Sequence, residues 1–291
     1  MTAEAVLDLS HPPSKPFRET LARLLGHRSF VIGDFLVLIV LIIALTADLI
    51  APFDPLRNAA RVRLRAPDSV YWFGTDHFGR DILSRVIHGA RISLIIGGAT
   101  VLMTGLFGTL IGAVAGFFRP LDNPIMRLMD ALMAFPAILL ALTVAAVLGA
   151  SVVNVIIALS IATAPHTARI VRASVLVIRE LEFVEAARAL GASEARILLR
   201  HVLVNALGPL IVRLTYVFAI AILAEAALSF IGVGPPPPAP SFGNIIANGR
   251  DFMVVAPWIT IFPGLAIIVT VLGLNLLGDG LRDVLDPRMK V

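Results

Sequence analysis

Val31 to Ile50 reads VIGDFLVLIVLIIALTADLI, twenty residues interrupted only by Asp34 and Asp48 near its two ends. An α-helix crossing about 30 Å of hydrocarbon needs about twenty mostly apolar residues. The competing reading is a cleaved signal peptide, since Ala44-Leu45-Thr46 offers a small-x-small site. The preceding tail of about thirty residues is long for a leader, and the apolar run continues past the site. The segment is therefore read as a retained anchor.

Similar runs recur along the chain. Of its 291 residues 58% are apolar and 15% charged, with a mean hydropathy of +0.90; soluble chains average about 45–50% and about 25%. Lipid is the solvent that fits. A second span is expected from about Ser93 to Phe118, where Gly108, Gly112 and Gly116 repeat every fourth residue and line one face for close helix packing. A polar loop, Arg119 to Arg127, leads to a third span that ends near Gly149 and contains Pro136. The fourth runs from about Val152 to Ala164, the fifth from Leu207 to Val233, and the sixth from Pro257 to Leu277. Pro235 to Pro240 predicts a stiff, extended loop. The fold class is all-α, a polytopic bundle of six transmembrane helices.

Lys and Arg counts set the orientation. With the N-terminus cytoplasmic, the inner segments carry fifteen and the outer ones eight, seven of them between Ala51 and Arg91. The bias favours N-in, C-in. The net charge of +4, from 22 Arg and 2 Lys, suits loops on an anionic membrane face better than a nucleic-acid surface. Cysteine is absent, so no disulfide or thiolate metal site is available. Neither lysine follows a glycine, which excludes a P-loop, and no His-Glu-x-x-His arrangement occurs. A self-powered ion-coupled carrier should place several ionisable groups deep in the membrane; away from the span ends only Glu225 qualifies, with Arg213 nearer the inner end of the same helix. The chain reads as a conduit driven from outside itself, with no catalytic site, cofactor or metal.

The segment Thr167 to Ala206 is charged, helix-favouring and cytoplasmic in this topology. Its middle runs Glu182-Phe183-Val184-Glu185-Ala186-Ala187-Arg188-Ala189-Leu190-Gly191-Ala192-Ser193. Ala, Leu, Arg and Glu favour helix; Gly191 can end it in a left-handed conformation, and Ser193 can cap a second helix that opens on Glu194. Taken alone, this pattern suits a docking helix and an ordinary amphipathic loop helix equally.

Glu185-Ala186-Ala187-x-x-x-Gly191 resembles the EAA loop of membrane subunits in binding-protein-dependent ABC importers. Three further stretches resemble that family's dipeptide/oligopeptide/nickel branch: Phe73 to Asp81 with Leu83 to Arg85 and Gly89 to Arg91; Glu225 to Gly232 with Pro237 to Asn244; and Asn275 to Asp283 with Leu285 to Arg288. The resemblance covers roughly residues 54–288 in order. It implies a type I permease fold: a cytoplasmic tail at 1–30, the first span at 31–50, an extracytoplasmic segment at 51–90, a translocating domain at 91–280 with its cytoplasmic loop at about 167–206, and a tail at 281–291. It makes Glu185, Ala186, Ala187, Gly191, Ala192 and Ser193 the residues that couple to an ATPase. Its implied partners are a second homologous permease, two ABC ATPase subunits that use the ATP, and an extracytoplasmic binding protein. The place is the bacterial inner membrane and the cargo short peptides, with nickel or another small solute as the alternative. A non-transport scaffold and a secondary carrier are the readings from other classes. One departure stands out: Val204 follows Leu203 where the family usually has proline, which predicts a straighter helix there.

Other residues carry two readings each. Glu225 lines the pathway or is bonded to a neighbouring helix. Asp76, Arg80 and Asp81 form a solvated pair at helical spacing, or, by the resemblance, an element of docking or gating. Arg213 snorkels to the inner surface. Asp279, Arg282, Asp283, Asp286 and Arg288 form a charge network or touch the ATPase.

Overall fold

A computed structural model describes residues 22–285. Among them nine helices matter here: α1 Arg28–Leu45, α2 Ile82–Phe117, α3 Arg119–Met133, α4 Ala137–Leu148, α5 Val152–Ile178, α6 Glu182–Ala189, α7 Leu207–Ile231, α8 Phe242–Gly249 and α9 Trp258–Leu285. Five of them, α1, α2, α5, α7 and α9, are long and apolar enough to cross a membrane. The third expected span falls on α3 and α4, bent by 88° at their junction, and makes a sixth crossing if the two are counted as one broken span. At 12 residues α4 reaches about 18 Å, too short to span alone.

Glycine sets how closely the helices approach. A Cβ at Gly112 would run into the Ala168 carbonyl oxygen, and one at Gly116 would sit 2.9 Å from the Val175 Cβ, so α2 and α5 pack backbone to backbone along the predicted face. Gly33 and Gly273 do the same between α1 and α9. Around these seams lie two apolar clusters: one joins Val40, Ala219, Ile222 and Leu274 of α1, α7 and α9, the other joins Ile96, Leu159, Ala221 and Leu228 of α2, α5 and α7.

Four expectations need correction. First, α2 begins at Ile82, not near Ser93, because Asp81 caps it by accepting the Ser84 amide at 2.7 Å. Second, Arg119 to Arg127 is the first part of helix α3, not a loop; its two acidic residues pair with α5, Asp122 with Arg172 and Asp130 with Arg169. Third, α5 does not stop at Ala164 but runs to Ile178, burying Thr167, Ala168, Val171 and Val175. Fourth, Asp76 and Arg80 lie on no helix; they occupy a turn before α2. An additional short helix, α8, lies between the Pro235 to Pro240 loop and the sixth expected span.

Candidate functional site

Helix α6 is eight residues long and opens on Glu182 and Glu185, favourable at the positive end of the helix dipole. It ends in a Schellman motif: Gly191 N–H donates to Arg188 O at 3.0 Å and Ala192 N–H to Ala187 O at 3.1 Å, with Gly191 at φ +83°. Below it, Val184 is fully buried among Val171, Val175, Ile197 and Val202, with Ala187 and Ala192 packed at the edge. Above it Glu185, Ala186, Gly191 and Ser193 are exposed, and Leu190 is 89% exposed. One side of α6 is thus pinned to the bundle, while the other offers small residues and a bare leucine to a partner.

Arg188 and Glu194 close the bend, Nε to Oε1 at 3.0 Å, and this partner holds the Arg188 guanidinium above its usual pKa. Ser193 stands at the head of the next turn, but its side chain makes no capping bond. The straighter helix expected from Val204 does not form. Ile197–Val202 is a π-helical turn, and the helix breaks again at Ala206. In an α-helix residues five apart face different sides. The wider turn lets Ile197 and Val202, both fully buried, face the same cluster.

At the opposite end of α2 the Asp76 turn is buried, not solvated. Asp76, Arg80 and Asp81 are 1%, 6% and 3% exposed. Asp76 Oδ1 accepts the Phe78 and Arg80 amides at 2.8 and 2.9 Å, while Oδ2 accepts Arg80 Nε at 2.6 Å and faces Arg85 Nε at 3.8 Å. Asp81 Oδ2 also accepts the Ser84 hydroxyl at 2.6 Å; burial raises its pKa against the pull of those bonds. Trp258 of α9 donates Nε1–H to Thr75 O at 3.1 Å, fastening the turn to the last helix. Burial holds His77, stacked on Phe252, below its usual pKa, opposed by the Asp76 charge. Asp76 with Arg80 therefore forms a buried structural pair, and the solvated reading fails.

Glu225 is also fully buried. Its Oε1 accepts Ser229 Oγ and Ser241 Oγ at 2.7 Å each, and its Oε2 faces Ser93 Oγ at 3.4 Å. Ser93 Oγ in turn accepts the Phe242 amide at 3.2 Å. The carboxyl binds α2, α7 and the head of α8 together. Sequence reasoning singled out Glu225 but missed Ser93, Ser229 and Ser241, and likewise Arg85. A signal for α8 exists: Ser241 precedes Asn244 by three and caps the helix by accepting its amide at 3.1 Å. Arg213 is half-buried on α7, its Nε 3.5 Å from Thr167 Oγ1. In the C-terminal cluster Asp283 lies 3.2 Å from His27 of the first helix region, while Asp286 and Arg288 fall outside the described residues.

The family model of the binding-protein-dependent transport system inner membrane component matches residues 108–291. The chain belongs to this family. The model of the N-terminal TM domain of oligopeptide transport permease C matches residues 15–67. A putative peptide transport system permease protein of Brucella abortus is 53% identical over 272 residues, 94% of this chain and 92% of its own. A dipeptide transport system permease protein of Alkalihalophilus pseudofirmus is 42% identical, covering 94% and 91%. A glutathione transport system permease protein of Escherichia coli is 43% identical over the same shares, 94% and 91%. The inward-facing MetNI methionine ABC transporter matches in fold, with a TM-score of 0.58 at 20% identity over 70% of this chain and 97% of that one. As an ABC importer permease the chain is a multi-pass membrane protein, and its family implies ATPase partners.

Proposed function

We propose that this permease passes short peptides inward across the bacterial cytoplasmic membrane, driven by ATP hydrolysis on separate subunits. The observation that carries the reading is α6: a short helix with one face buried in the bundle and the other, with Glu185, Ala186, Leu190, Gly191 and Ser193, bare. Of the coupling residues Glu185, Ala186, Ala187, Gly191, Ala192 and Ser193, the exposed Glu185, Ala186, Gly191 and Ser193 form the surface that meets a cleft of the ATPase, while Ala187 and Ala192 seat α6 on the bundle. The relatives named for peptide, dipeptide and glutathione transport support peptides over nickel as cargo.

The assembly pairs this chain with a second homologous permease, two ABC ATPases and an extracytoplasmic binding protein. The N- and C-termini lie in the cytoplasm and the Asp76 turn outside, where the binding protein docks. The tail at 1–30 and the anchor at 31–50 precede the outer segment at 51–90 and the translocating domain at 91–280. The permease itself carries no catalytic group and no cofactor. ATP-driven closure of the ATPases pulls on α6 and turns the paired bundles outward, and hydrolysis resets them.

Uptake of labelled di-, tri- and pentapeptides and of Ni²⁺, in cells with and without the gene and before and after ATP depletion, tests the reading. Peptide uptake lost with either the gene or ATP is the expected result. Loss of Ni²⁺ uptake alone would overturn the peptide assignment and leave the permease intact.

A further inference from the structure

A pocket of about 340 Å³ opens between α5, α7 and α9 at the end of the bundle from which α6 hangs. Its polar wall is Arg213, Thr215 and Tyr216 of α7 with Asn275, Asp279 and Arg282 of α9. Arg213, Asp279 and Arg282 belong to no ion pair among the described residues, although the neighbouring Asp283 does. Arg213 reaches Thr167 Oγ1 through Nε alone; its two Nη groups have no hydrogen-bond acceptor among the described residues. Arg213 lies six residues into α7, about 9 Å from Leu207 and so at the depth of a headgroup boundary. At that depth the guanidinium, 5.5 Å from the Tyr216 ring centroid, can snorkel to the phosphate layer, where a phosphate oxygen is its natural counter-ion.

From this arrangement we infer that the pocket is a phospholipid headgroup site, with Arg213 and Arg282 on the phosphate and Asp279 on a headgroup amine. Planar guanidinium groups match phosphate oxygens in geometry and charge, and basic pockets between membrane helices hold headgroups in this way. Asp279 sets the headgroup: its carboxylate attracts the ammonium of phosphatidylethanolamine, which the uncharged glycerol of phosphatidylglycerol lacks, and so selects the first over the second. Ile170 and Leu274 on the remaining wall accept the start of an acyl chain. The bound lipid bridges α7, which leads out of the coupling segment, to α9.

The test is lipid retention. The intact transporter is reconstituted in nanodiscs of phosphatidylethanolamine and phosphatidylglycerol at 3:1, extracted in mild detergent, and weighed by native mass spectrometry. Wild type is expected to retain phosphatidylethanolamine; R213Q with R282Q to lose at least tenfold of it; and D279N to hold phosphatidylethanolamine and phosphatidylglycerol in the ratio supplied. R213K, which keeps a cation, is expected to retain an intermediate amount and guards against misfolding as the cause of loss. Three results would overturn the assignment: equal retention by wild type and R213Q/R282Q, a wild-type preference for phosphatidylglycerol, or release of the lipid by millimolar dialanine, which would make the pocket a cargo site. Inorganic phosphate at the same concentration is expected to release none.

Discussion

Replacing Gly191 separates backbone geometry from partner contact at α6, the proposed coupling helix. The residue sits at φ +83°, and a Cβ built there meets nothing within 4 Å. Any cost inside this chain therefore comes from the left-handed conformation, about 1–2 kcal/mol for an L-residue. That reduces the population of the closed Schellman turn by a factor of about 5–30. Asn tolerates the conformation better than Ala although it is larger, so strain ranks the variants Gly, Asn, Ala, Val from best to worst. A steric clash with the ATPase groove would rank them by size, with Ala better than Asn. The assay is ATP-driven peptide uptake in proteoliposomes holding the full transporter, with ATP hydrolysis measured in parallel. The expected result is uptake falling about fivefold or more for Ala and further for Val, Asn staying close to wild type, and ATP hydrolysis persisting uncoupled. Uptake ordered by side-chain size, or an unaffected Val variant, would refute the strain account.

Gly112→Val drives a side chain into the Ala168 carbonyl and should cost about 3 kcal/mol or more; Gly98→Ala, whose Cβ meets only the Phe218 ring at 4.0 Å, should be neutral, and thermal unfolding in detergent compares them. Glu225→Leu strands the Ser229 and Ser241 hydroxyls and should cost about 2–4 kcal/mol. Glu225→Gln, which keeps an acceptor, should cost less, and a cysteine placed on α8 of this cysteine-free chain should label faster only in the Leu variant; unchanged labelling would show that the carboxyl does not hold α8. His77 titrates with a lowered folded-state pKa, so its stabilising contribution is present above about pH 6.5 and is lost as pH falls through the folded value. Amide protection factors at Gly74 to Asp81, which are exchange rates corrected for the intrinsic pH dependence, should therefore fall between pH 7.5 and 5.5, and His77→Phe should abolish that change.

Hydropathy made the spanning helices legible, because twenty apolar residues in a row have few alternatives to crossing lipid. The glycine face of α2 was legible for a similar reason: only close packing needs glycine every fourth residue. What escaped were features set by distant partners. Asp76 and Arg80 sit four apart, which suggested a helix, but Gly74 and Gly79 at φ +73° and +78° turn the chain and bury the pair instead. Glu225 stood out as a buried charge, yet Ser93, its partner from α2, lies 132 residues away in sequence. The charges of Arg119 to Arg127 suggested a loop because the arginine that pairs with Asp122 is on α5. At α6 the left-handed Gly191 was readable from sequence, whereas the π turn that follows is imposed by packing at Ile197 and Val202 and has no local signature.

Helix α2 has a mechanical consequence. Thirty-six residues without a break make a strut of about 54 Å. One end is bolted to the Asp76 turn through Asp81 and Ser84, and the other, at Ala113 and Phe117, shares an apolar cluster with Val184 of α6. A tilt of only about 5° about one end displaces the other by about 5 Å over that length. If α6 is the coupling helix, a small rotation there would move the Asp76 turn by about the rise of a full helical turn.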